Sequence, residues 1–211
     1  MKMKKYIVEF IGTFFLVLTI CMTVIGGLEN WAPLAIGVML MVMVYAGGHI
    51  SGAHFNPAVS VAIYLRGKLA LGELPPYIFA QGVGAVVAAL LSGYLLRSTG
   101  MIAGEALVPL AGPVLLAEFL GTFIFCYVFL HVYTAKGTAG NPFYGIAIGG
   151  ALMGSIYVFG DISGGVFNPA VAAGVCTAQI ISWSSIWIYL VASFVAGAVA
   201  AFVFNYVNGP E

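Results

Sequence analysis

The residues of this chain best suited to act on another molecule are two Asn-Pro-Ala triplets, Asn56-Pro57-Ala58 and Asn168-Pro169-Ala170. Asn is a favoured helix N-cap, and Pro is favoured at the first helical position because its missing N–H has no partner there anyway. A helix therefore starts at each Asn. A helix N-terminus carries about half a positive charge, and the Asn amide beside it donates hydrogen bonds. Two such ends can recognise a neutral polar molecule and oppose a cation, without making or breaking a bond. No nucleophile, base and orienter set accompanies them, so enzyme activity has no support; nor does a catalytic, metal or cofactor-binding site. Cys21, Cys126 and Cys176, an odd set within apolar runs, read as small buried hydrophobes, not as a disulfide framework or a metal cluster.

The elements that position these triplets must lie in a bilayer. The chain has 211 residues, 62% hydrophobic and 7% charged, seven charges of each sign, with a mean hydropathy of +1.09. Globular chains are about 25% charged, so a soluble globule is excluded, together with disorder, a coiled coil and nucleic-acid binding. A span needs about 20 apolar residues. Charge-free stretches at 74–96 and 137–160 fit one span each, whereas 32–65 and 162–210 hold a full span plus about half of another. The division predicts full spans near 6–26, 33–50, 74–96, 114–135, 140–159 and 183–207, and half-spans near 56–65 and 168–177. The first residues also have the form of a secretory signal, with lysines before an apolar run, but Glu9 interrupts that run and the segment has a counterpart later in the chain. With the N-terminus inside, Lys2, Lys4, Lys5, Arg66, Lys68 and Lys136 fall in the cytoplasm and only Arg97 outside, as the positive-inside rule prefers. A multi-pass protein of the plasma membrane with both termini cytoplasmic is expected.

The chain also repeats itself. At an offset of 112, residues 50–59 match 162–171 at eight of ten positions, and Glu9-Phe10-Ile11-Gly12-Thr13-Phe14 returns as Glu118-Phe119-Leu120-Gly121-Thr122-Phe123. One membrane domain thus consists of two repeats, 1–105 and 106–211. Three full spans per repeat make the second enter from the opposite face, an inverted repeat. The half-spans then dip in from opposite sides, and both Asn N-caps point at the midplane. The extended stretches before them, Gly52-Ala53-His54 and Gly164-Gly165-Val166, leave carbonyls without helical partners, which membrane depth permits where they line a wet cavity or are buried. A pore with a ladder of acceptors leading to two central donors follows. It would turn a water molecule at its centre and interrupt a proton wire. The symmetric intramembrane acids Glu9 and Glu118 read as braces accepting from loop N–H groups, and His49 and His54 as partners of the first loop's backbone. Small-residue pairs at spacing four, Gly145 with Gly149 and Gly150 with Gly154, and the run Ser193, Gly197, Ala201, read as close helix packing.

With two such triplets in inverted repeats, each led by a Glu-Phe-x-Gly-Thr-Phe helix, the chain resembles the aquaporin or major intrinsic protein family over essentially its full length. The resemblance implies an all-α membrane fold: a right-handed bundle of six transmembrane helices plus two re-entrant half-helices, one pore per subunit, in a homotetramer. It implies that Asn56 and Asn168 form the central barrier to protons and that Glu9 and Glu118 brace the loops. It also places a second constriction, the selectivity filter, at Ile36, Ile156, Gly165 and Val171. Strict water channels of the family typically hold an aromatic, a histidine, a small residue and an arginine there. This chain has Val171 where the arginine stands and lacks the aromatic and the histidine. A valine there is similar to some plant vacuolar and bacterial members that pass larger neutral solutes. The aspartate that often follows the arginine in the glycerol branch is Ala172 here.

The expected function is passive permeation of water and small uncharged solutes, such as glycerol, urea, ammonia or neutral metalloids, with protons and ions excluded. The alternative is a strictly water-selective pore. A secondary transporter would need a coupling-ion site that two symmetric glutamates do not make, and a closed-pore structural protein would pass nothing. Any gate falls in the loops, with 98–113 the first place to look.

Overall fold

The computed structural model describes residues 2–101 and 104–209. Its helices are α1 (Lys2–Ile25), α2 (Ala32–Ser51), α3 (Pro57–Leu65), α4 (Leu74–Arg97), α5 (Ala111–Thr134), α6 (Tyr144–Ser163), α7 (Pro169–Thr177) and α8 (Ile186–Asn208). Six of them are long and apolar enough to cross a membrane; α3 and α7 have nine residues each, about 14 Å at about 1.5 Å per residue. The largest departures from the sequence reading lie in α1 and α6. α1 already starts at Lys2, so the lysines occupy its first turns, and Lys5 reaches Glu73 at 3.2 Å. The fifth span lies about four residues later than expected. The Asn141 amide donates to the carbonyls of Val132 and Thr138 and ties 140–143 into a turn, while the far end runs past the exposed Asp161, whose charge does not end the helix.

Packing follows the internal symmetry. α1 lies on α2 and α4, and α5 lies on α6 and α8 in the same way. α2 and α6 cross where the repeats meet. Their backbones touch at Gly37 and Gly149: a Cβ on Gly149 would stand 2.4 Å from the Gly37 carbonyl oxygen, and one on Gly37 2.8 Å from that of Gly149. The half-helices are exchanged, α3 packing on α8 and α7 on α4, so each repeat completes the other's core.

The small-residue pairs divide accordingly. Gly145 and Gly149 face Tyr45 and Met41 of α2, and a Cβ on Gly197 would meet the Ala58 backbone at 2.6 Å, whereas Gly150 and Gly154 have nothing within 4 Å. Among the described residues the last pair faces no packed neighbour, contrary to expectation. Gly149→Val should therefore lower the melting temperature of the detergent-solubilised protein, since overpacking costs about 1–3 kcal/mol or more. Gly150→Ala should melt with the wild type; equal losses in both would count against this crossing.

Candidate functional site

Each re-entrant loop begins where a full helix ends in a left-handed glycine, Gly52 (φ 89°) after α2 and Gly164 (φ 85°) after α6. Three residues later the chain turns left-handed again at residues with side chains, Phe55 (φ 49°) and Phe167 (φ 47°). Non-glycine residues in this region cost about 1–3 kcal/mol and persist only where the surroundings over-determine them. Here they do. The Phe55 N–H donates to Glu9 Oε2 at 2.7 Å, and its carbonyl accepts from Asn168 Nδ2 at 2.9 Å. The Phe167 N–H donates to Glu118 Oε2 at 2.6 Å, and its carbonyl accepts from Asn56 Nδ2 at 2.9 Å. Both rings lie over glycines, Phe55 over Gly12 and Phe167 over Gly121, so close that a Cβ at either position would overlap the ring.

Glu9 and Glu118 are fully buried. Glu9 accepts from Ser51 Oγ (2.7 Å), the His54 N–H (2.9 Å), the Phe55 N–H and Gln81 Nε2 (2.8 Å). Glu118 accepts from Ser163 Oγ (2.7 Å) and the N–H groups of Val166 (2.9 Å) and Phe167. The position matching Gln81 is Ser193, too short to reach the carboxylate, and it accepts from Thr122 instead.

Asn56 and Asn168 cap α3 and α7, each side-chain oxygen accepting from the N–H two residues on. They are 2% and 4% exposed, and both line a narrow central cavity of about 10 Å³. The cross-bonds to the opposite loop use one N–H of each amide. One N–H per Asn remains for the lumen, half of what the sequence alone suggests. Pro57, Ala58, Pro169 and Ala170 are buried and pack the two helix starts.

The central cavity shares lining residues with a further cavity on each side. On one side lies a vestibule of about 310 Å³ lined by Lys5, Gly52, Lys68, Glu73, Tyr77 and Tyr133, with His54 shared between them. On the other lies a vestibule of about 380 Å³ that includes Glu29, Asn30, Asp161 and Gly164. Ile36, Ile156, Gly165 and Val171, the four positions singled out in the sequence, line both the central cavity and this larger vestibule, so they stand together where the two adjoin. Their side chains carry no polar atom.

Three expectations for the loops change. Ala53 is fully enclosed, in a left-handed turn (φ 51°), and lines none of these three cavities; Gly165 and Val166 line the central one. His49 is exposed at the end of α2. His54 gives its backbone N–H to Glu9, not to the loop, and its ring meets the Ser60 hydroxyl (3.0 Å) and not backbone. Sequence reasoning missed Phe55 and Phe167, and also Tyr77 and Tyr189, whose hydroxyls donate to the Ser51 and Ser163 carbonyls. Both pairs recur at the same offset of 112, the signal that could have found them. Ile102 and Ala103, within the loop suggested for a gate, lie outside the described residues; farther along it, Leu107 pairs with 180–182. No group of three metal-ligating side chains occurs among the described residues, and all three cysteines are free and buried.

Comparison with known proteins agrees with this architecture. The family model described as "Major intrinsic protein" matches residues 1–204. A probable aquaporin NIP4-2 of Arabidopsis thaliana is 33% identical over 97% of this chain and 75% of its own. Nodulin-26 of Glycine max is 31% identical over 98% and 78%. A glycerol uptake facilitator protein-like 6 of Lactiplantibacillus plantarum is 35% identical over 95% and 96%. Among solved structures, the aquaglyceroporin from Plasmodium falciparum superposes with a TM-score of 0.83 at 22% identity, covering 100% of this chain and 98% of that one.

Proposed function

The chain belongs to the major intrinsic protein family of membrane channels, and from that premise we propose that it passes a broad set of small neutral solutes through the lumen between α3 and α7. It is a passive channel for water and small uncharged solutes, not an enzyme. The observation that carries the reading is the head-to-head meeting of two Asn-capped helix starts in a cavity flanked by a vestibule on each side.

The central chemistry follows from counting donors. With one free N–H from each Asn, a water between them has both lone pairs occupied, and its hydrogens point outward toward the two mouths. A proton relay needs each water to accept from one neighbour and donate to the next, so it stops there. The two helix ends repel a cation. Gly165, Ile36, Ile156 and Val171 act as the selectivity filter, an apolar ring without the fixed positive charge of strict water channels, and admit solutes such as glycerol, urea, ammonia or neutral metalloids by size and dehydration cost. The Glu9 and Glu118 braces hold both loops at depth. Lys5, Arg66 and Lys68 favour a cytoplasmic smaller vestibule and cytoplasmic termini; the membrane is the plasma membrane, and the subunits assemble as a homotetramer.

Stopped-flow light scattering on proteoliposomes tests this in one preparation. Water, glycerol and urea permeabilities all well above those of protein-free vesicles are expected. Fast water with solute entry at the lipid background would restrict the pore to water. Solute accumulation against a gradient would replace the channel with a transporter.

A further inference from the structure

Among the described residues His54 alone lines both the smaller vestibule and the central cavity, which places it at the neck between them. It is 4% exposed, and its ring is held on several sides. Tyr77 lies against it at 5.0 Å and Phe129 meets it edge-on at 6.1 Å. Nδ1 stands 3.0 Å from Ser60 Oγ. Nε2 has no protein partner among the described residues. It lies beside Gly52, where a Cβ would come within 3.0 Å of it.

The hydrogen-bond directions behind this ring follow from the donor inventory. Gln81 Nε2 has two N–H groups, one given to Glu9 at 2.8 Å and the other to Ser60 Oγ at 3.0 Å. Ser60 therefore accepts from Gln81. Its own proton goes to the Asn56 carbonyl at 3.2 Å, which leaves its second lone pair for an Nδ1–H. Every donor and acceptor of the hydroxyl is then used, whereas the opposite arrangement leaves a buried lone pair empty. A neutral imidazole with its proton on Nδ1 has a bare lone pair on Nε2.

We propose that His54, oriented by Ser60 and Gln81, is an acceptor station at the neck and the specificity-determining residue for solutes that carry N–H or O–H donors, urea first among them. The inference rests on the channel reading above. The side chains of Ile36, Ile156, Gly165 and Val171 cannot discriminate by hydrogen bonding, so among side chains that task falls to the polar ones of the lumen, beside the backbone carbonyls. Asn56 and Asn168 offer donors to a solute oxygen, and His54 Nε2 accepts from its hydrogens. Water in single file can donate to the next water. A larger solute fills the cross-section and has only the wall.

The test combines flux with spectroscopy. Water and urea permeabilities are measured for the wild type, His54→Leu, Ser60→Ala, Ser60→Thr and the double variant His54→Leu/Ser60→Ala. 15N NMR of histidine-labelled protein reads the tautomer, the His54 signal among three histidines being the one lost in His54→Leu. The wild type should carry its proton on Nδ1, and Ser60→Ala should shift it to Nε2. The urea-to-water ratio should fall about three- to ten-fold in His54→Leu and in Ser60→Ala, the worth of about one hydrogen bond. The double variant should fall no further than His54→Leu, and Ser60→Thr should retain both the ratio and the tautomer. An Nε2–H wild type, an unchanged ratio in His54→Leu, or a wild type that passes water but no urea overturns the proposal. A wild type that passes neither overturns the channel reading itself.

Discussion

Glu9→Leu should prevent the protein from accumulating in the membrane as a folded species. The substitution removes the acceptor of four donors at once, the Ser51 hydroxyl, the His54 and Phe55 N–H groups and the Gln81 amide, at a site from which water is excluded. Each buried donor left without a partner costs about 1–3 kcal/mol, so the four together cost at least about 4 kcal/mol, against a total stability of about 5–15 kcal/mol for ordinary domains. The loss also releases Phe55 from its left-handed turn, and with it the carbonyl that Asn168 grips. Glu118→Leu strands three donors and should be milder. Glu9→Gln keeps the shape and one good acceptor and should fall between the wild type and Glu9→Leu. Yield after solubilisation and the melting temperature by size-exclusion chromatography give the order. A leucine variant that melts with the wild type would show that the loop holds itself without the carboxylate.

Val171→Arg should convert the channel toward water selectivity. Val171 lines both the central cavity and the larger vestibule, where Ile36, Ile156 and Gly165 complete the ring. Arginine adds length, bulk and five N–H donors that stay charged at any working pH. It narrows the aperture and supplies a polar partner that a small water can exploit without shedding much bulk. Since one methylene already discriminates by about 10-fold or more in a close-fitting site, the glycerol-to-water and urea-to-water ratios should each fall at least ten-fold in proteoliposomes. Equal losses for water and both solutes would mean that the ring is not the selectivity step.

Much of this was legible because a bilayer leaves few solutions. Backbone polar groups in hydrocarbon must be satisfied internally, so apolar length translates directly into helices, and six spans and two half-spans follow from counting. The Asn-Pro pair marks helix starts by local chemistry alone, and both starts fall where it puts them. Where local signals mislead, the reason is that a charge does not by itself end a helix. α6 runs through Asp161, and α1 carries its lysines within the helix. Spacing between glycines likewise says that a close approach is possible, not to what. Gly149 meets Gly37 backbone while Gly150 and Gly154, on the same helix, meet nothing.

The sequence by itself determined the spans, the helix caps and the apolar identity of Ile36, Ile156 and Val171, all of which depend on composition or on neighbours within a few positions, and it carried an internal repeat at an offset of 112. Only the tertiary structure decided the rest. It exchanges α3 and α7 between the repeats and spends one N–H of each Asn on the opposite loop. It encloses Ala53 and gives Glu9 a fourth partner that Glu118 lacks, and it fixes the His54 ring from Ser60 and Gln81. Apart from the His54–Ser60 contact, six positions long, these features join residues 21 to 113 positions apart. Whether two such groups meet depends on how helices cross and on which backbone atoms lack partners after they do, and neither quantity has a local signature along the chain.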